Sequence, residues 1–119
     1  MKNLYGRIQL GLQANDYQIK TLETAIYPDA GVGSSLELYY LAMGITSEAG
    51  EIAGKVKKLL RDGSMDSVAI MHEVGDVLWY CARLADALGF ELEDVMQVNY
   101  AKLTKRKEND TIKGSGDQR

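Results

Sequence analysis

The most informative run of the chain spans residues 35–63, SLELYYLAMGITSEAGEIAGKVKKLLRDG. It contains no proline, and its apolar residues recur every three or four positions, which is the spacing of one helix face. A glycine such as Gly63 often ends a helix in the left-handed conformation, so the run predicts a helix from about Ser35 to Arg61. The apolar residues that fall within an arc of about 60° of that helix, and so form its predicted core stripe, are Leu41, Ile45, Ile52, Val56 and Leu59.

Three more segments of helical length flank this one, and a loop-like stretch around Pro28 precedes it. The first helix is predicted to be capped by Asn15 or Asp16 and to run to about Ile26; the third is predicted to open at Asp66 or Ser67 and to end at Gly89, and the fourth to run from about Leu92 to Lys107. No segment alternates polar and apolar residues as a half-buried strand would. The pattern predicts an all-α four-helix bundle in a single domain over residues 1–112, with a disordered tail over 113–119.

The composition excludes several classes of protein. The chain has 119 residues with one cysteine, Cys81, and one histidine, His72, which excludes a disulfide framework and a multi-histidine metal site within one chain. A net charge of −3 argues against a broad electrostatic grip on nucleic acid, and no apolar run approaches the ~20 residues of a membrane span. Residues 1–7 lack the apolar core of a signal peptide. We therefore expect a cytoplasmic protein that binds neither nucleic acid nor a membrane.

Two of the predicted helices each carry a pair of acids three positions apart, beside the apolar stripe. The pairs are Glu48 with Glu51 and Glu73 with Asp76. A three-residue step along a helix rises about 4.5 Å, so the two acids of a pair are able to share a ligand. Carboxylates beside a core lose hydration and repel one another, and a divalent cation relieves both costs. The alternative is an ordinary solvated helix face, with Lys55 and Lys58 as intrahelical partners for part of the negative charge.

The type of ligand indicates which cation suits these acids. Hard carboxylate oxygens favour Mg²⁺, with Mn²⁺ as a substitute, whereas zinc and copper favour nitrogen and sulfur. Di-iron helical bundles use Glu-x-x-His pairs, and here His72 directly precedes Glu73 instead of following that spacing. Magnesium usually binds through carboxylates together with substrate phosphates. The acids therefore point to phosphoryl or nucleotidyl chemistry.

The segments around these acids resemble those of a known family. Residues 44–51 (GITSEAGE), 72–80 (HEVGDVLWY) and 99–106 (NYAKLTKR) are similar to the MazG-like group of all-α nucleoside triphosphate pyrophosphohydrolases, and the resemblance covers about residues 16–108. It implies Mg²⁺-dependent hydrolysis of nucleoside triphosphates at the α–β bond to a monophosphate and pyrophosphate, which clears unwanted nucleotides. By the same resemblance, the catalytic and metal-binding residues are Glu48, Glu51, Glu73 and Asp76. Many members have an acid immediately before the first of these, where this chain has Ser47.

Several further side chains are candidates for holding the substrate. Asn99, Lys102 and Arg106 share one face of the last predicted helix, where the alternative is a polar edge of the bundle. Tyr80, one turn after the last acid, is placed to stack on a base or to hydrogen-bond a phosphate, with core packing as the alternative. Trp79 is predicted to point away from the acids. The full set of predicted substrate-binding residues is Lys55, Lys58, Tyr80, Asn99, Lys102 and Arg106.

The predicted helices also carry apolar residues on more than one side. They include Leu38, Tyr39, Tyr40, Leu60, Leu78 and Trp79, a patch that a monomer does not cover. We therefore expect a homodimer, or a tetramer built from dimers, with a nucleoside triphosphate as substrate and each site near a subunit boundary. Two other functions stay open: a non-catalytic metal-binding helical regulatory or adaptor subunit, and a pyrophosphohydrolase of a nucleotide-like biosynthetic intermediate such as phosphoribosyl-ATP.

Overall fold

The chain folds into four α-helices joined by loops, as seen in a computed structural model that describes residues 11–119. The helices are α1 (Ala14–Thr21), α2 (Ser35–Asp62), α3 (Ser67–Ala87) and α4 (Leu92–Glu108), and a 3₁₀ turn, Leu22–Thr24, follows α1. No strand occurs in this part of the chain. The predicted all-α class with four helices is confirmed, while residues 1–10 of the predicted domain lie outside the described residues.

Helix α3 is the central element, because α1, α2 and α4 all pack against it; α1 also packs against α4. Among residues 11–119 no helix other than α3 packs substantially against α2, so the bundle is open along that helix. Of the predicted core stripe of α2, Leu41 is fully buried, but Val56 and Leu59 are each 41% exposed. The predicted stripe is therefore wrong for the second half of α2, because α3 alone covers that half. None of the described helices is both long and apolar enough to cross a membrane.

Side chains at the ends of α2 and α3 explain why both helices begin and end close to their predicted boundaries. The Ser34 hydroxyl caps α2 and the Asp66 carboxylate caps α3, each by accepting hydrogen bonds from backbone N–H groups of the first turn. Gly63 ends α2 with a φ of 74°, and Gly89 follows α3 with a φ of 82°. Residues with a Cβ are strained in this left-handed region, so glycine at these two positions fixes where the helices stop.

Helix α1 is shorter than predicted, since it ends at Thr21 and not near Ile26. Two threonine hydroxyls compete for the helical carbonyl groups: Thr21 Oγ1 donates to the Gln18 carbonyl (2.6 Å), and Thr24 Oγ1 donates to the Thr21 carbonyl (3.2 Å). The chain tightens into the 3₁₀ turn and then leaves the helical conformation. Pro28 follows, and a proline disfavours helix at the residue before it.

Neither α1 nor α4 has a capping side chain at its own N-cap position. Instead each helix caps the other: Asn15 N donates to Glu93 Oε1 (3.1 Å), and Glu93 N donates to Asn15 Oδ1 (2.9 Å). Leu92 N also donates to Gln18 Oε1 (3.0 Å). We call these contacts the reciprocal cap. They correct the prediction that Asn15 or Asp16 caps the first helix, because Asn15 lies inside α1 and its side chain bonds to α4.

Two charged side chains lie fully out of water inside the molecule. Glu37 on α2 and Arg83 on α3 are both 0% exposed. Glu37 accepts hydrogen bonds from Tyr27 OH (2.6 Å), Gly31 N (2.8 Å) and Gly33 N (2.6 Å). These bonds join the start of α2 to the connection that precedes it, residues 25–34.

Arg83 completes the same set of contacts from α3. Its guanidinium donates to Tyr27 OH (3.5 Å), to Thr21 Oγ1 (3.3 Å) and to the Asp86 carboxylate. We call Tyr27, Glu37 and Arg83 the buried charge network. A buried charge is very costly unless it is paired and hydrogen-bonded, and these contacts offset that cost. Sequence reasoning missed this network, because its members are distant in the chain.

Replacing Glu37 with glutamine is expected to destabilise the fold by about 3 kcal/mol at pH 7, since an amide cannot accept every hydrogen bond that the carboxylate accepts. Burial by itself would raise the pKa of Glu37, but hydrogen bonds from Tyr27, Gly31 and Gly33 and the charge of Arg83 hold it below its ordinary value. A lowered pKa in the folded state gives stability that is present above the unfolded-state pKa, about 4.3, and is lost as the pH falls through the folded-state pKa. Denaturant unfolding should therefore show the wild type and Glu37→Gln converging below about pH 4.

The matched control for this experiment is Glu23→Gln, which changes an exposed acid of the 3₁₀ turn. It is expected to alter the free energy of unfolding by less than about 0.5 kcal/mol. A Glu37→Gln protein as stable as this control at pH 7 would contradict the role given to the buried charge network.

Candidate functional site

Three of the predicted acids meet where α2 and α3 run antiparallel. Glu48 on α2 and Glu73 and Asp76 on α3 each offer a carboxylate oxygen, and these oxygens lie within 4.8 Å of one another. Glu48 and Glu73 are half-buried, and Asp76 is exposed. The three-residue spacing puts Glu73 and Asp76 on one face of α3, and the packing of the two helices brings Glu48 to that face. We call these three residues the acid cluster.

The acid cluster carries negative charge that its surroundings do not fully neutralise. The pKa of Glu48 lies above its ordinary value because burial removes water from the carboxylate and because Asp76, Glu73 and Glu51 repel its charged form. A hydrogen bond with Glu73 adds to the rise. Glu51, the fourth predicted acid, is exposed and acts on Glu48 by its charge, but it is not one of the three that meet.

Lys55 places one positive charge at the edge of the acid cluster. Its Nζ lies 3.2 Å from Glu73 Oε1 in a half-buried ion pair. The structure therefore brings this predicted substrate-binding residue to the acids. One ammonium offsets only part of the negative charge of three carboxylates, so the region still favours a cation.

A cleft of about 410 Å³ opens beside the acid cluster and is lined by Thr24, Glu48, Asp76, Trp79 and Tyr80. Trp79 Nε1 donates a hydrogen bond to Thr24 Oγ1 (2.8 Å), which ties the 3₁₀ turn to α3. The prediction that Trp79 points away from the acids is thus wrong: it follows Asp76 by three residues, a spacing that could have placed it on the neighbouring flank of α3. Nothing in the local sequence signals Thr24, because only the path of the chain before α2 brings it here.

Aromatic side chains pack behind this cleft. The rings of Tyr27 and Tyr40 stack with centroids 5.1 Å apart, and Trp79 meets Tyr27 and Tyr80 edge-on at 5.9 Å and 5.0 Å. We call these four side chains the aromatic wall. Burial, the neighbouring hydroxyl of Tyr40 and two acids of the cluster raise the pKa of Tyr80, so its phenol keeps its proton. Tyr80 is therefore a hydrogen-bond donor at the cleft.

Of the six predicted substrate-binding residues only Tyr80 lines this cleft; Lys55 contacts the acid cluster, and the four that do neither are Lys58, Asn99, Lys102 and Arg106. Lys58 lines a separate cleft near the end of α2, together with other basic residues. Lys102 Nζ and Arg106 Nη2 lie 3.4 Å and 3.2 Å from Oδ1 of Asp117. The tail over 113–119, for which the sequence predicts disorder, is without helix or strand and is placed against α4 by these contacts.

The donor atoms of the acid cluster fit a hard divalent cation. The three ligands are all carboxylate oxygens, and no cysteine or histidine belongs to the group. Oxygen-only sets of this kind suit Mg²⁺ or Mn²⁺ and disfavour zinc and copper. The raised pKa of Glu48 is a further sign of fit, because a bound cation would offset both of its main causes, the loss of water on burial and the repulsion from the neighbouring acids.

The acid cluster lies within a part of the chain that matches a known family of proteins. Residues 38–111 match the family model described as the MazG nucleotide pyrophosphohydrolase domain. The Gene 37 protein of Mycobacterium phage L5 is 50% identical over 111 residues, which cover 87% of this chain and 96% of that protein. The Uncharacterized protein YvdC of Bacillus subtilis (strain 168) is 37% identical over 75 residues, 55% of this chain and 71% of that protein. No solved structure gives a significant match.

Glu48→Gln is expected to stabilise the protein in chelator and to weaken its response to Mg²⁺. Because the folded-state pKa of Glu48 is raised, metal-free wild type should lose stability as the pH rises from the unfolded-state pKa, about 4.3, through the folded-state pKa. The glutamine lacks this charge, so its melting temperature in chelator at pH 7 should exceed that of the wild type. Excess Mg²⁺ should raise the melting temperature of the wild type by mass action and that of the variant far less.

Glu108→Gln, which changes an exposed acid at the end of α4, serves as the control and should keep the full response to Mg²⁺. Glu73 is less suitable for this experiment, because its replacement also breaks the ion pair with Lys55. Equal Mg²⁺-induced shifts for wild type and Glu48→Gln in scanning calorimetry would show that the acid cluster is not the cation site.

Proposed function

Because the chain belongs to the MazG nucleotide pyrophosphohydrolase family, we propose that it hydrolyses nucleoside triphosphates, ribo or deoxy, between the α- and β-phosphates. The products are a nucleoside monophosphate and pyrophosphate, and the proposed role is the removal of unwanted or surplus nucleotides. The observation that carries the proposal is the acid cluster, with three carboxylates from two helices held within 4.8 Å beside a cleft. Such a cluster is unfavourable alone and becomes favourable when a divalent cation and a polyphosphate bind.

We assign the cation to Glu48, Glu73 and Asp76, with Glu51 as a fourth carboxylate near them on α2. The proposed ion is Mg²⁺, with Mn²⁺ as a substitute. When bound, such an ion neutralises charge on the phosphates and makes water a stronger nucleophile. The contribution of the side chains is to hold their negative charges at a fixed spacing on two packed helices, so that little rearrangement is needed during the reaction.

Residues of the cleft and Lys55 at the edge of the acid cluster supply binding and orientation. Lys55 Nζ, which lies beside Glu73, is placed to pair with a phosphate oxygen as a mobile point charge. Trp79 and Tyr80 exclude water from one side of the cleft, and exclusion of water strengthens the electrostatic interactions of the bound phosphates. The Tyr80 hydroxyl adds a neutral donor on the same side.

We also propose that the working form is a homodimer, or a tetramer built from two dimers. Large apolar side chains remain exposed along the open side of α2: Leu60 is 91% exposed, Met43 65% and Tyr39 64%. We take these exposed apolar side chains on one side of the helix as part of an interface. A second copy is the proposed occupant, because the self-packing of α2 would complete the bundle that one chain leaves open.

The four predicted polar residues that lie neither at the cleft nor at the acid cluster stay in this proposal as substrate-binding residues. Lys58, Asn99, Lys102 and Arg106 do not line the cleft of their own chain, and we propose that they act at a site near the subunit boundary. There their donors and positive charges would suit phosphates and sugar hydroxyls.

Incubation with each common nucleoside triphosphate and Mg²⁺ is expected to give the monophosphate and pyrophosphate, identified by chromatography. In heavy-oxygen water the label should enter the monophosphate, since the proposed attack is at the α-phosphorus. Each amide variant of the acids should lower kcat by at least about 100-fold, the scale of a lost electrostatic stabiliser. The variants are Glu48→Gln, Glu51→Gln, Glu73→Gln and Asp76→Asn. Ser47→Ala is the control and should stay within about threefold of wild type, because a hydroxyl cannot replace a carboxylate as ligand or base.

Other products would point to other enzymes. Stepwise release of orthophosphate would indicate attack at the γ-phosphorus, and label in pyrophosphate alone would move the attack to the β-phosphorus. Preference for phosphoribosyl-ATP over every common triphosphate would favour the biosynthetic alternative. A protein that responds to Mg²⁺ but turns over no nucleotide would favour the regulatory subunit.

Light scattering at micromolar concentration is expected to give at least twice the 13.2 kDa of one chain. Leu60→Glu should shift the protein toward the monomer, because it places a charge on the exposed apolar side of α2. Ser64→Glu introduces the same charge in the exposed loop after α2 and should leave the mass unchanged. A wild-type mass of one chain would contradict the proposed assembly.

A further inference from the structure

Gly44 is the point on α2 against which the Tyr80 ring of α3 packs. A Cβ atom placed on Gly44 would lie 2.2 Å from Tyr80 Cε1, 2.4 Å from Cδ1 and 2.6 Å from Cζ. Carbon atoms do not approach so closely, so any other residue at this position would force the ring to move. The other glycines inside α2, Gly50 and Gly54, meet nothing within 4 Å. Gly44 therefore differs from them, because the Tyr80 ring occupies the space that a side chain at Gly44 would take.

A glycine in the interior of a helix costs about 1 kcal/mol relative to alanine. At Gly44 this cost accompanies a close approach of the two central helices, because the glycine is buried under the ring. Gly44 also precedes Glu48 by one helical turn. A ring held against Gly44 is thus held next to the acid cluster.

The described neighbours of Tyr80 restrict the directions in which its ring is able to move. Helix α2 lies behind the ring at Gly44, and the rings of Tyr40 and Trp79 flank it with centroids 6.3 Å and 5.0 Å away. The ring also lines the cleft, together with two of the acids. A ring pushed away from Gly44 would therefore alter the space beside the acids.

We propose that Gly44 is a positioning residue that sets the width of the cleft through Tyr80, and thereby the room for the nucleoside part of a nucleoside triphosphate. The inference rests on the proposed function, because phosphates held at the acids leave the aromatic side of the cleft to the sugar and base. Gly44 touches no substrate itself. The acids lie on the same helices but do not take part in the overlap between a Gly44 side chain and the Tyr80 ring. Binding of the cation alone is therefore proposed not to depend on the Tyr80 ring.

The experiment compares Gly44→Ala with Gly50→Ala, an exposed position of the same helix. Gly44→Ala should raise KM for the preferred nucleoside triphosphate at least about tenfold and change kcat less than about threefold, the pattern of lost binding that is shared by ground and transition states. Gly50→Ala should keep the wild-type KM. The affinity for Mn²⁺ alone, measured by electron paramagnetic resonance without nucleotide, should be the same in all three proteins.

A second pair of variants separates the proposed steric route from a general loss of structure. In a Tyr80→Leu background, Gly44→Ala should raise KM by less than about twofold, because a short flexible side chain no longer meets the added methyl group. Tyr80→Leu alone should raise KM at least about tenfold, since it removes the side of the cleft on which the nucleoside rests. If Gly44→Ala does not fold, the KM of Tyr80→Leu alone tests whether the Tyr80 ring forms the side of the cleft that receives the nucleoside.

The outcomes distinguish this inference from the proposed function. A Gly44→Ala enzyme with the KM of Gly50→Ala, an undiminished effect of Gly44→Ala in the Tyr80→Leu background, or a wild-type KM for Tyr80→Leu would each overturn the inference and leave the proposed function standing. A wild type that neither hydrolyses a triphosphate nor binds its α,β-methylene analogue would overturn both.

Discussion

A carboxylate and a guanidinium removed completely from water set the strictest constraint on this fold. Glu37 and Arg83 are tolerated there only because hydrogen-bonding partners reach them from α1, from α3 and from the connection before α2. Tyr27 is the partner that they share, since its hydroxyl donates to Glu37 and accepts from Arg83. The Tyr27 ring then supports Tyr40 and Trp79. One side of the cleft is thus fixed by directional hydrogen bonds as well as by aromatic packing, which has weaker geometric preferences.

The contact between α2 and α3 combines groups that stabilise the fold with groups that repel one another. In the first half of α2 the apolar Leu41 and Gly44 are buried, yet just beyond them the contact collects three carboxylates that repel one another. The ion pair of Lys55 with Glu73 relieves only part of that repulsion. Strain of this kind is common where a site is built for a ligand, because the arrangement that binds best is seldom the one that is most stable without it. The surrounding packing therefore has to hold the helices together against their own charges.

Local signals in the sequence were sufficient for some features and not for others. The ends of α2 and α3 follow from single residues such as Ser34 and Gly63, whose effect on the backbone depends on the next few residues alone. The acids follow from helical spacing in the same way. Glu37 has the appearance of a solvated residue in the first turn of a helix, and only partners from other parts of the chain make it a buried one. The place of Thr24 at the cleft and the partners of Asn15 could not be predicted from local sequence either, because both depend on tertiary contacts.

The reciprocal cap links the topology to the order in which the chain assembles. Helices α2 and α3 begin with their own capping side chains, Ser34 and Asp66. Backbone N–H groups of their first turns therefore have hydrogen-bond partners even while the rest of the chain is unfolded. In α1 and α4, backbone N–H groups of the first turn donate hydrogen bonds to side chains of the other helix, across a separation of 78 residues. Closing so long a loop costs conformational entropy before any contact repays it, and it slows folding. We therefore expect the central hairpin to form first and to protect its amide protons from exchange most strongly, and the outer pair to dock last as one cooperative unit.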